Sequence, residues 1–144
     1  MVRIALAGIA WLCLLLPPVP PRQAPSLIEH DSVVATLQPG PHNGGGETMA
    51  YSFFARAPGL NLVFRKRALH RGAAIGYHRQ AEDEVYYVVS GTGELTLNGV
   101  RSVVVPGTAI LTRPGSSHGL RQVGSDDLVV IIVYQLTTVH RQGA

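Results

Sequence analysis

From residue 47 onward the chain is built of short runs in which apolar and polar positions alternate, rich in Val, Ile, Tyr, Phe and Thr. These residue types suit a half-buried pleated surface. The alternation predicts strands at Thr48 to Phe54, Asn61 to Leu69, Ala74 to Gln80, Glu84 to Ser90, Glu94 to Leu97, Arg101 to Val105, Thr108 to Thr112, His118 to Val123 and Leu128 to Thr137. Turn residues separate them, and Asn98-Gly99 between two alternating runs is the clearest hairpin signal. Beyond the first 24 residues no segment carries a 3.6-residue apolar period. The predicted class is all-β, and short, evenly spaced strands point to a sandwich or barrel, forms that limit exposed sheet edges.

Two segments of different character come before this region. Met1-Val2-Arg3, a helix-like apolar stretch from Ile4 to Leu16 and the prolines Pro17, Pro18, Pro20 and Pro21 have the form of a secretory signal over residues 1–24. The stretch is shorter than the roughly 20 residues of a spanning helix. A cleaved signal is therefore expected, and with it an exported protein, periplasmic or secreted; the alternative is an uncleaved anchor, the one case in which a membrane is a partner. Residues 25–46, with Pro39-Gly40-Pro41 and Gly44-Gly45-Gly46, read as a flexible arm with loops and one short strand at Ser32 to Leu37. The glycine run is not a phosphate loop, because no Gly-Lys-Ser/Thr follows it and no helix begins. His30 and His42, in the same arm, are expected in solvent. Residues 47–144 are the expected barrel domain.

Composition narrows the function classes. A chain of 144 residues is the size of one domain and can bury about two-thirds of its unfolded surface. Its one cysteine, Cys13, lies in the leader and follows Leu12, where a lipoprotein signal would carry a small residue. Beyond the leader there is no disulfide, thiol nucleophile or thiolate ligand. The formal charge of +3 also owes much to the leader: without Arg3 and Arg22, ten of the 12 Lys and Arg face 9 Asp and Glu. No nucleic-acid partner is implied. Arg65-Lys66-Arg67 alternates faces within an apolar run and reads as a solvated strand face.

The candidate chemistry sits in Gly72 to Gly91. On an extended strand His78 and Gln80 project to one side, while Tyr77 and Arg79 point away. Ala81-Glu82-Asp83 makes a tight polar connection, so Glu84 at the start of the returning strand can close on the same point. Tyr86 follows on the inward face of that strand, where it is a candidate catalytic proton donor or a barrel-filling aromatic.

These residues resemble the cupin superfamily. Its first motif (glycine, five residues, His-x-His, three or four residues, Glu, six residues, glycine) is met by Gly72, His78, Gln80, Glu84 and Gly91, with glutamine replacing the second histidine. Its second motif aligns with Gly107, Arg113-Pro114-Gly115, His118 and Gln122, with the proline displaced by one and glutamine for asparagine. The resemblance covers about Asn61 to Tyr134. It implies a jelly-roll barrel with one divalent metal in its mouth, held by His78, Gln80, Glu84 and His118. Facing agrees, because His118, Leu120 and Gln122 share one side of their strand.

Two imidazoles and a carboxylate suit manganese, iron or zinc, and the amide oxygen of Gln80 is a harder, weaker ligand than imidazole. The functions so implied are isomerisation or epimerisation of a sugar-like substrate, or oxygenation of a chelating one. The alternatives are a module that binds a small polar ligand or carbohydrate without turnover, and a structural domain that pairs as a homodimer through outward residues such as Tyr77, Tyr87 and Val89. Arg113 is expected at the solvated rim. Ser117 and His118 are adjacent on an extended chain and face opposite ways, which excludes a Ser-His hydrolase pair.

Overall fold

The computed structural model describes residues 25–136. Among them one helical turn, α1 (Asp31–Val34), precedes ten strands: β1 (Ala35–Pro39), β2 (Glu47–Phe53), β3 (Leu62–Leu69), β4 (Ala74–Arg79), β5 (Glu84–Ser90), β6 (Thr92–Leu97), β7 (Val100–Val104), β8 (Ala109–Thr112), β9 (Ser117–Val123) and β10 (Leu128–Gln135). The expected leader helix lies outside the described residues. Among the described residues no helix is long and apolar enough to cross a membrane.

The strands form two antiparallel sheets, one ordered β1-β2-β3-β10-β5-β8 and the other β4-β9-β6-β7. Their facing sides carry Leu69, Ile75, Val88, Leu95, Leu120, Leu128 and Val130, all nearly or wholly buried, in one cluster. The period-2 pattern places these groups: on β5, Glu84, Tyr86 and Val88 are buried while Val85, Tyr87 and Val89 are exposed. The hairpin at Asn98-Gly99 forms as expected. Both residues have positive φ, 48° and 81°, and Leu97 stands directly opposite Val100. Such a two-residue turn follows the right-handed twist of its strands.

Two expectations need correction. Ser32 to Leu37 is not one strand: His30 Nδ1 accepts the Ser32 backbone N–H at 3.2 Å and caps a helical turn, and only from Ala35 does the chain extend to pair with β2. Glu29 and Asp31 tie this segment down, the former accepting the Phe54 backbone N–H at 2.6 Å and the latter paired with Lys66. The second correction concerns Arg65-Lys66-Arg67, which is not a solvated face. Arg65 and Arg67 share the inward side of β3 with Leu69, and Arg67 is only 6% exposed.

Candidate metal centre

Both sheets contribute to the barrel mouth. On the four-stranded sheet, His78 of β4 stands opposite His118 of β9. On the other sheet, Glu84 opens β5 between Thr112 of β8 and Tyr134 of β10. Sheet packing brings the three together, so that one ligand atom from each of His78, Glu84 and His118 lies within 4.8 Å of the other two.

Hydrogen bonding decides which atoms are free. His78 Nδ1 lies 2.8 Å from the Gly76 carbonyl oxygen. A carbonyl only accepts, so Nδ1 carries the proton and Nε2 keeps its lone pair. His118 Nδ1 lies 2.6 Å from Thr112 Oγ1, so this edge of the ring is taken by the hydroxyl while Nε2 is not. That Nε2 stands 3.2 Å from Glu84 Oε2, and neither atom has a hydrogen-bond partner.

The pair is close without being an ion pair. Burial, then the imidazoles of His78 and His42, lower the His118 pKa to about 4. Burial raises the Glu84 carboxyl to about 7, opposed by a hydrogen bond from Tyr86 and by the charge of Arg65. The imidazole is therefore neutral at pH 7 and supplies no cation to the carboxylate. Buried polar atoms are rarely left without partners. Two of them aimed at one point, beside a third free nitrogen, fit a divalent cation of the manganese, iron or zinc type. The Nδ1 contacts to Gly76 and Thr112 are the outer partners that orient metal-binding imidazoles.

The other expected residues fall around this point. Gln80, just past β4, is buried and lines the same cavity. Its backbone is clipped to the second-motif turn, with its N–H donating to Ser116 O at 2.8 Å and its carbonyl accepting from Gly115 N at 2.9 Å. Tyr86 packs 5.0 Å from the His118 ring, and burial and Glu84 raise its pKa well above 10. Arg113 is at the rim, paired with Asp83 at 2.6 Å, both exposed.

The cavity, about 280 Å³, also contains groups that the sequence reading passed over. Arg65 and Arg67 both line it. Arg67 donates to Thr48 Oγ1 at 2.7 Å, and among the described residues no carboxylate pairs with it. His42, expected to be merely solvated, is exposed on one side but stacks its other face on His78, ring centroids 3.5 Å apart and planes within 7°. A signal for the arginines was present, since Arg65 and Arg67 stand four and two residues before the core position Leu69. For His42 and Thr112 no local signal existed.

The Cupin domain family model matches residues 66–134, which include every residue of the mouth except Pro41, His42, Arg65 and Leu136. The chain belongs to the cupin family. This cupin is 31% identical over 72 residues to an oxalate-binding protein of Thermotoga maritima, covering 49% of the chain and 60% of that relative's length. It is 33% identical over 85 residues to an uncharacterized protein of Streptomyces coelicolor, covering 59% of the chain and 78% of the other. The crystal structure of a predicted oxalate decarboxylase from Thermotoga maritima superposes with a TM-score of 0.71 at 24% identity, over 77% of this cupin and 100% of that chain. That likeness establishes the fold.

Proposed function

We propose that the barrel mouth holds one divalent metal through His78, Glu84 and His118, and binds on it a small carboxylate-bearing chelator whose charge is met by Arg65 and Arg67. The observation that carries this reading is Arg67, a buried guanidinium facing the same cavity as the three ligands with only a neutral hydroxyl as its partner. Burial and Arg65 both lower the Arg67 pKa, so an anion placed between the two arginines relieves a cost already present in the fold. A neutral sugar would leave the buried Arg67 charge uncompensated. The cavity is at the small end of the range for ligand pockets, roughly 300–1,000 Å³. A small dicarboxylate suits it, and the relationship to an oxalate-binding protein points the same way.

Bound there, the metal supplies Lewis acidity to the oxygen atoms of a chelating ligand. The protein's own groups do the rest. Arg65 and Arg67 orient the ligand, the Gln80 amide faces the cavity beside the ligand set, and Ile132 and Leu136 limit water on the six-stranded side. Tyr86 gives a second reading, turnover, its specific support: its hydroxyl holds its proton beside Glu84 and lines the cavity, so it can serve a ligand that develops negative charge.

The test is calorimetric titration of the manganese-loaded protein with oxalate, malonate and a neutral hexose. A dicarboxylate that binds only when metal is present is the expected result. Binding of the hexose, with neither acid bound, overturns the anionic reading in favour of a sugar-like ligand. Slow loss of the bound acid would favour turnover, and a Tyr86→Phe variant that binds normally without consuming it would assign the proton.

A further inference from the structure

The segment before the barrel reaches the metal centre at one place. β4 is an edge strand of the four-stranded sheet, and its free edge is taken by the turn Pro41 to Gly46: Gly76 N–H donates to Pro41 O at 2.9 Å and Ala74 N–H to Gly45 O at 3.1 Å. This approach needs glycine on both sides. A Cβ at Gly76 would fall 1.9 Å from the His42 carbonyl oxygen, and one at Gly44 would fall 2.0 Å from the Ala74 carbonyl oxygen. At the apex His42 and Asn43 both adopt left-handed backbone, with φ of 53° and 59°. Such a conformation at consecutive non-glycine residues persists where the surroundings impose it, and it is a recurrent feature of functional turns.

The turn bears on a single ligand. The β4–β9 register shifts between Ile75 and His78, so Gly76 lies in the irregular part of the ladder and its carbonyl accepts from His78 Nδ1 at 2.8 Å. The residue whose N–H holds the turn therefore also holds the ring edge of His78. The face of that ring is covered by His42, 3.5 Å away and parallel within 7°, while the His118 ring meets it edge-on at 4.6 Å.

We propose that His42 is a positioning residue of the metal centre, its ring face fixing the plane of His78 so that Nε2 points at Glu84 and His118. The turn at Pro41 to Gly46, which lies outside the region matched to the family, is then part of the site. Geometry excludes a simpler role as a fourth ligand in this arrangement, because a stacked ring presents its face to His78 while a metal on Nε2 lies in the plane of that ring. This inference rests on the metal reading above. It adds that one ligand is aimed by a residue outside the barrel strands.

The test compares the full chain with His42→Ala and His42→Phe, by side-chain proton–carbon NMR of the metal-free proteins and by cobalt(II) titration followed by visible absorption. In the metal-free wild type the stacked ring shifts the His78 ring protons upfield. His42→Ala should remove that shift and weaken cobalt binding by about tenfold, the lower end for loss of a partner that orients a metal ligand. His42→Phe, which keeps an aromatic face but has no nitrogen, should keep an upfield shift and restore most of the affinity. If His42→Ala binds cobalt as tightly as wild type and with the same spectrum, the inference falls. If His42→Phe is as weak as His42→Ala, a ring nitrogen is what matters and the inference falls as well. A wild type that takes up no cobalt while its His78 shift is intact overturns the metal reading and this inference with it, a pattern distinct from the other two.

Discussion

His118 and Gln122 are four residues apart on β9, on the same face and almost equally buried, at 1% and 3% exposure. Their polar atoms are treated in opposite ways. Gln122 is satisfied on both sides of its amide: Oε1 accepts the Gly72 backbone N–H at 2.7 Å, and Nε2 donates to Asp126 O at 2.7 Å and to Gly124 O at 3.3 Å. It ties the start of the first motif to the loop after β9. His118 uses Nδ1 with Thr112 and leaves Nε2 beside an equally unpartnered Glu84 oxygen. A polar group that serves the fold spends its hydrogen bonds on it, whereas one that serves a ligand keeps an atom in reserve. Two polar residues on one strand face can thus be told apart by what they leave undone.

The contrast can be broken most directly at its two ends. His118→Leu should abolish metal retention, read by metal analysis after dialysis, while the metal-free protein loses only the one Thr112 hydrogen bond, about 1 kcal/mol in urea unfolding. A large loss of metal-free stability would make His118 structural and end the distinction. Gln122→Leu should do the reverse, costing about 2–4 kcal/mol of stability in urea unfolding because three backbone groups lose a partner, with metal affinity unchanged once folded.

Smaller effects sharpen the same picture. Arg67→Met should weaken dicarboxylate binding about 10- to 100-fold in calorimetry, the equivalent of one or two charge-assisted hydrogen bonds, and leave the metal in place.

The pH dependence should separate metal binding from folding. Glu84, raised from 4.5 to about 7, favours the metal-free fold below pH 4.5 and loses that contribution as pH rises through 7. His118, lowered from 6.5 to about 4, favours the fold above pH 6.5 and loses that contribution as pH falls through 4. The two oppose each other between about pH 4 and 7, so this pair should leave metal-free stability nearly flat there. Metal must displace the Glu84 proton, so its affinity should climb by up to about tenfold per pH unit below 7 and level off above, measured by competition with a chelator of known pH dependence. Affinity that is level from pH 5.5 to 8 would mean that Glu84 is not a ligand.

Much of the mouth is legible in the sequence, for reasons local to a strand. A period of two sets which side each residue of β4, β5 and β9 faces, and motif spacing joined His78 and Glu84 to His118. The same period applied to β3 would have turned Arg65 and Arg67 inward with Leu69. The run of three charges instead suggested a solvent face, because their cost in the interior depends on a cavity that no single strand reveals.

What the sequence determined by itself is the strand pattern, its turns and the inward set on each strand, all consequences of backbone geometry over a few residues. Only the tertiary structure decided that Thr112 pairs with His118 Nδ1, that Arg67 meets a hydroxyl instead of a carboxylate, and that a glycine-rich turn carries His42 onto His78. Each of these depends on two segments meeting, within one sheet for Arg67 and Thr48, between the two sheets for Thr112 and His118, and across a sheet edge for His42 and His78. Distances of that kind are set by how the whole core packs, and no local period contains them.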